Sequence, residues 1–200
     1  MGNVGIGFSM SLDGFIAGPN DEVDRLFKWY FMGNNDHTVA TGDQEFKMSS
    51  EGAELIEEAG KTVGALVTGR RTFDVAHAWG GKHPMDMPVV VVTHRIPQEW
   101  VKEGSPFTFV TDGVESAIAK AKKIAGKKDV AVGAPKIAQQ CLKAGLIDEI
   151  NIDLVPVLLG KGIRLFDQLG DQSIELESVS ATQAPGVTHL LYRVVTARHN

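Results

Sequence analysis

Three short segments carry the residues best suited to hold an anionic ligand. The first is Gly69-Arg70-Arg71-Thr72, directly after the apolar run Val63 to Thr68. Glycine permits a tight strand-to-helix turn and close approach of a ligand to the backbone. Thr72 can cap or begin a helix, whose free N–H groups attract anions. Two arginines there add charge and forked donors for phosphate; a solvated turn with two surface arginines is the alternative. The second segment, Thr93-His94-Arg95, follows Val89 to Val92 and supplies a hydroxyl and a basic pair. A surface turn explains it equally well in isolation. Paired with the first segment, it suits a ligand whose pyrophosphate sits at one strand end and whose ribose phosphate sits at the next. The third, Gly133-Ala134-Pro135-Lys136-Ile137, follows Val130-Ala131-Val132 and leads into a helix, again pointing a helix N-terminus at an anion.

One acid stands out. Asp13 lies in Ser11-Leu12-Asp13-Gly14-Phe15-Ile16-Ala17-Gly18, after the first apolar run. Asp-Gly is an ordinary turn pair; the functional alternative sets Asp13 at a pocket mouth as a group that orients substrate or assists proton transfer. Other chemistries find little support. Gly133 alone fits the six-position dinucleotide pattern, and Gly160-Lys161-Gly162 lacks the spacing and following hydroxyl of a Walker loop, which leaves it as a turn. No Gly-x-Ser-x-Gly elbow occurs. The six histidines show no metal-ligand spacing, so no metal is expected. The one cysteine, Cys141, reads as a small buried helix residue and suits a reducing compartment.

The elements that must position these residues are legible as alternating strand and helix patterns. Strands are expected at Val4 to Met10, Val63 to Thr68, Val89 to Val92, Phe107 to Val110, Val130 to Val132, Ile150 to Val155, Ile174 to Ser180 and His189 to Val195. Continuous apolar runs imply strands covered on both faces, and alternating runs imply one wetter face. Helical spacing appears over Ser50 to Ala59, Thr72 to Trp79, Val114 to Ile124 and Lys136 to Ala144. The order implies an α/β domain over residues 1–200: a mixed, mainly parallel central sheet, helices on both faces and an antiparallel C-terminal hairpin. Residues 31–48 are polar, Gly-rich and aperiodic, which suggests an insertion, lid or interface segment. The preceding Trp29 and Tyr30, with Phe31, read as core anchors or as a pocket cover.

Gross composition narrows the partners. With 43% hydrophobic and 22% charged residues in 200, the chain can bury a core without disulfide or metal staples. A net charge of −5 disfavours nonspecific nucleic-acid binding. No run approaches a membrane span, and Met1 to Ser11 lacks the features of a signal peptide, so a cytoplasmic protein is expected.

Taken together, Met10 to Gly18, Thr68 to Phe73, Val91 to Arg95, Val132 to Pro135 and Pro156 to Phe166 resemble the dihydrofolate reductase-like superfamily. The nearer branch is that of the C-terminal reductase domain of the bifunctional riboflavin-biosynthesis deaminase-reductase, the RibD C-terminal domain. The segments run in the family's order over nearly the whole chain. The resemblance implies an NADPH-dependent oxidoreductase. By it, Gly69, Arg70, Arg71 and Thr72 form the turn at the cofactor phosphates. Thr93, His94 and Arg95 are adenosine-side contacts, with Arg95 the candidate for the 2′-phosphate. Gly133, Ala134, Pro135, Lys136 and Ile137 lie under the pyrophosphate, and Ser9, Ile16 and Ala17 beside the nicotinamide. Asp13 matches an acid kept near the substrate and is the candidate catalytic residue. The family often has Gly-Gly where this chain has Gly133-Ala134. The acid-bearing helix of true folate reductases has only Asp24, Glu51 and Glu54 as positional candidates, and the His-x-Glu and paired cysteines of the deaminase half are absent. The implied reaction is reduction of a small polar heterocycle, as in 5-amino-6-(5-phosphoribosylamino)uracil reduction. The alternatives are a dihydrofolate, pteridine or other small-metabolite reductase, or a non-catalytic NADP-binding module. The resemblance also implies a homodimer.

Overall fold

A computed structural model describes residues 2–34, 38–41, 44–171 and 173–195. Eight strands form one sheet: β1 (Val4–Ser11), β5 (Val63–Gly69), β6 (Val89–Val92), β7 (Phe107–Val110), β8 (Asp129–Val132), β9 (Glu149–Val155), β11 (Leu176–Ala184) and β12 (Val187–Val194). Their spatial order is β11-β12-β9-β1-β8-β5-β6-β7. Every pair from β9 across to β7 is parallel, and the β9–β12 and β12–β11 pairs are antiparallel. The expected mixed sheet with an antiparallel tail is therefore present.

Both faces of the central strands are covered, as their unbroken apolar sequences require. On β6, Val90 packs into the core beneath α3 (Val114–Ala125) and α4 (Pro135–Lys143), while Val89 and Val91 pack on the opposite side with Phe73. Cys141 is fully buried in α4. Burial, reinforced by the charge of Glu115, pushes its thiol up to about 12, consistent with a small core residue and not a nucleophile. Among the described residues, no helix is long and apolar enough to cross a membrane.

Three regions depart from expectation. The helix expected over Thr72 to Trp79 is shorter and starts earlier, as α2 (Arg70–Val75). The chain then turns left-handed through His77, Ala78 and Trp79 (φ 48°, 49° and 48°), and Trp79 packs edge-on against Phe73. Second, a short strand β2 (Phe15–Ala17) pairs with β10 (Ile163–Arg164) beside the main sheet. At three and two residues, these carry too little periodicity to announce themselves. Third, the 31–48 segment contains the hairpin β3 (Thr38–Thr41) and β4 (Gln44–Lys47); residues 35–37 and 42–43 lie outside the described residues. Met48 is buried with Trp29, Leu26 and Ala53 of α1 (Ser50–Thr62), in a second small core. Of this segment, residues 31–34 and 46–48 line neither cavity described below.

Candidate functional site

Parallel pairing aligns the C-terminal ends of β5, β6 and β8: Gly69 is level with Val92, and Val67 with Val132. The three turns singled out in the sequence therefore meet at one edge of the sheet, the usual ligand edge of such folds. They line an outer cavity of about 670 Å³, which touches Gly69, Arg70, Arg71, Thr72, Thr93, His94, Arg95, Ala134, Pro135, Lys136 and Ile137. Gly69, Gly113 and Ala134, the residues that precede α2, α3 and α4, all border it, and none of these three helix starts has a side-chain cap. Unsatisfied N–H groups at such ends favour a negative ligand. The walls are tight: a Cβ on Gly69 would lie 3.3 Å from Ile137 Cγ1, and one on Gly133 would lie 2.9 Å from Leu66 Cδ1.

The basic residues divide by role. Arg70 Nε donates to Asp74 at 2.7 Å, and its Nη1 donates to the carbonyl of Arg95 at 3.0 Å, so Arg70 braces the neighbouring turn. Thr93 Oγ1 accepts from Arg95 N and donates to Arg95 O, which shapes the same turn. Arg71 donates to Asp21 at 2.7 Å. Among the described residues, the side chains of His94, Arg95 and Lys136 have no hydrogen-bond or ion-pair partner, and all three border the outer cavity.

An inner cavity of about 370 Å³ adjoins the outer one and shares Arg71, Thr72, Pro135 and Ile163 with it. Ser9, Ile16, Ala17 and Gly133 line it, joined by Gly7, Phe8, Tyr30, Asp21 and Asp153. A Cβ on Gly7 would meet nothing within 4 Å, so bare backbone faces open space there and leaves room for a flat ring. Ser9 Oγ is occupied: it accepts from Trp29 Nε1 at 3.0 Å, and both residues are buried.

Asp13, the catalytic candidate, stands apart from the two cavities in this structure: its carboxylate borders neither. It accepts from Ser11 Oγ at 2.6 Å, Gly160 N at 2.7 Å and Leu159 N at 3.1 Å, while Arg164 donates to its carbonyl. The Ser11 hydroxyl foremost, with the two backbone N–H groups, holds the carboxyl at about 2. A carboxylate stabilised this way is a poor proton acceptor and a strong clasp between two loops.

The residues missed in the sequence lie on the other side of β1. Asp153 on β9 is level with Ser9 on β1 and with His189 on β12. His189 Nδ1 donates to Asp153 Oδ1 at 2.7 Å. The imidazole is 6% exposed, meets the Trp29 ring edge-on at 5.1 Å, and its buried Nε2 has no partner among the described residues. Tyr30 stacks on Trp29 and also lines the inner cavity. Burial first, and the charge of Asp153 second, raise the Tyr30 phenol well above its ordinary value and keep it protonated. The only signal in the sequence was a carboxylate in an alternating strand, and nothing local ties it to a histidine 36 residues away.

A family model for the RibD C-terminal domain matches residues 3–190. The uncharacterized protein YwjB of Bacillus subtilis (strain 168) is 26% identical over 165 residues, covering 82% of this chain and 83% of the relative. The crystal structure of a putative riboflavin biosynthesis protein from Shewanella sp. PV-4 aligns with a TM-score of 0.73 at 25% identity, covering 96% of this chain and 99% of that one. Dihydrofolate reductase from Enterococcus faecalis, complexed with NADP(H), aligns with a TM-score of 0.59 at 16% identity over 96% of each chain and so shares the fold.

Proposed function

The chain belongs to the RibD C-terminal domain family, and from that premise we propose that it is an NADPH-dependent reductase of a small polar heterocycle. The observation that carries this reading is the pair of adjoining cavities at the C-terminal edge of the parallel strands. The outer one has uncapped helix starts and unpartnered basic side chains, which suit a phosphorylated nucleotide. Both volumes fall within the usual range for small-molecule sites, about 300–1,000 Å³. The Enterococcus faecalis reductase, on the same fold, is complexed with NADP(H).

Bound NADPH would supply a hydride to an electrophilic carbon of the substrate. The protein's own work is then positional. Gly69, Thr72 and the start of α4 at Ala134, Lys136 and Ile137 would receive the pyrophosphate with backbone N–H groups, with Pro135 setting the turn at the first helical position. Arg95, with Thr93 and His94, would meet the adenosine end and its 2′-phosphate. Ser9, Ile16, Ala17 and Gly133 would wall the nicotinamide in the inner cavity, whose lining is mostly apolar. The first substrates to test are 5-amino-6-(5-phosphoribosylamino)uracil, which the sequence resemblance suggests, and its dephosphorylated form.

The test is thermal unfolding with NADPH or NADH, followed by loss of nicotinamide absorbance on adding aminouracils or dihydrofolate. Ligand at 100 times its Kd adds about 2.7 kcal/mol, a rise of about 5–10 °C for a domain of this size. NADPH is expected to stabilise more than NADH, and Arg95→Ala to narrow the difference. No stabilisation by either nucleotide overturns the reading. Stabilisation without turnover of any substrate would leave a binding module.

A further inference from the structure

Resting on the reductase reading above, we propose that Asp153, held from behind by His189, is the substrate-binding carboxylate of the inner cavity. It selects a planar heterocycle that offers an N–H donor and carries no phosphate.

Asp153 reaches the cavity from the strand ladder itself and not from a loop. Ser9, Asp153 and His189 stand level on β1, β9 and β12, so the carboxylate's position is set by backbone pairing on both sides. Its side chain is 28% exposed, which leaves it open to the cavity. Oδ1 is taken by His189 Nδ1, and Oδ2 has no partner among the described residues. A carboxylate only accepts hydrogen bonds, so the complementary group is a ring N–H or an amine. Because a carboxylate only accepts, Nδ1 is the donor in this contact, and the buried Nε2 meets no partner among the described residues. The imidazole is boxed by Trp29, which is itself tied to Ser9. A buried ring nitrogen left without a partner is costly, and its retention is explained if His189 must fix the direction of Asp153.

Charge decides the second half of the proposal. Among the described residues lining the inner cavity, the charged ones are Asp21, Asp153 and Arg71. Arg71 is already paired with Asp21 at 2.7 Å, which leaves one net negative charge on the wall. Tyr30 contributes a protonated phenol and no countercharge. A phosphate in this space would face Asp153 with no free cation to meet it. Arg71 and Thr72 border both cavities, while His94, Arg95 and Lys136, the basic side chains without a partner among the described residues, border only the outer one, where the cofactor is proposed to lie.

The experiment uses the full chain and reads binding separately from turnover. The probes are 6-aminouracil and 5-amino-6-ribosylaminouracil, the latter with and without its 5′-phosphate. Calorimetry is run with and without NADPH, and kinetics at saturating NADPH. Asp153→Asn is expected to weaken 6-aminouracil binding, and to raise KM for the ribosylaminouracils, about 10- to 100-fold, the loss of one charge-assisted hydrogen bond. Its NADPH affinity is expected to stay at the wild-type value. His189→Leu is expected to raise KM while sparing NADPH binding, and His189→Asn, whose amide can replace Nδ1 as donor, to restore it. Circular dichroism separates folded from unfolded variants, and Asp153→Asn carries the test if His189→Leu fails to fold. The dephosphorylated substrate is expected to have the higher kcat/KM. Wild-type probe affinity in Asp153→Asn, no binding of any probe by the wild type, or a preference for the phosphorylated form overturns the proposal. Failure of NADPH to bind the wild type overturns the reductase reading instead, and calorimetry without NADPH still decides the role of Asp153.

Discussion

Replacing Ser9 by alanine isolates one buried hydrogen bond at the floor of the inner cavity. The Ser9 hydroxyl is the acceptor for Trp29 Nε1 at 3.0 Å, and the indole is 3% exposed. Without it, the N–H has no protein partner and little access to water, and a buried unmet donor costs about 1–3 kcal/mol. Each kcal/mol corresponds to about 2–4 °C in a domain of this size, so a loss near the middle of that range lowers Tm by about 4–8 °C. Trp29→Phe removes the donor, but it also removes ring volume from the contacts with Tyr30 and His189. The double variant Ser9→Ala/Trp29→Phe has no orphaned donor. Its loss is therefore expected to fall short of the sum of the single losses by about 1 kcal/mol or more. Far-UV circular dichroism melting of the four proteins closes the cycle without relying on tryptophan fluorescence. A Ser9→Ala Tm within about 1 °C of wild type, or strict additivity in the cycle, refutes the reasoning.

Two further variants probe the frame around the site. Asp13→Asn is expected to turn over substrate near the wild-type rate, measured as NADPH oxidation per folded molecule, because the carboxylate borders neither cavity. Its folded-state value of about 2, below the ordinary 3.8, means its contacts stabilise the fold above about pH 4 and lose that contribution as pH falls through 2. Acid melting curves of the wild type are expected to show this component, and those of Asp13→Asn to lack it. Gly162→Ala is expected to destabilise by about 3 kcal/mol or more, read as Tm. Gly162 sits at φ 150°, and an added Cβ would overlap the carbonyl oxygen of Ala17 across the β2–β10 pair. An alanine variant that melts like the wild type contradicts that close approach.

Most of the frame was legible because its strands are buried on both faces. Val89 to Val92 and Phe107 to Val110 occur in the structure with the bounds read from the sequence. The helical spacing of Val114 to Ile124 likewise gave α3 to within a residue. Segments without such patterns were not legible. The left-handed turn at His77 to Gly80 forces three side-chain-bearing residues into a conformation their types do not favour, and Trp79 packs there against Phe73. The 31–48 segment looked structureless because its anchor, Met48, packs into a core assembled from Leu26, Trp29, Val155 and Val187, distant parts of the chain.

The two carboxylates show where the division falls. Residues 69–72, 93–95 and 134–137 of the outer cavity could be named from the sequence because each group follows an apolar strand, and parallel strands bring such ends to one edge. Their chemistry is local to three short turns. Which acid faces the inner cavity could not be named that way. Asp13 had a suggestive local setting, but folding clasps it to the backbone at Leu159 and Gly160. Asp153 had none, and it acquires its place from the register of β1, β9 and β12 and its partner from His189. Register between strands far apart in sequence depends on how whole faces pack, and only the tertiary structure decides it.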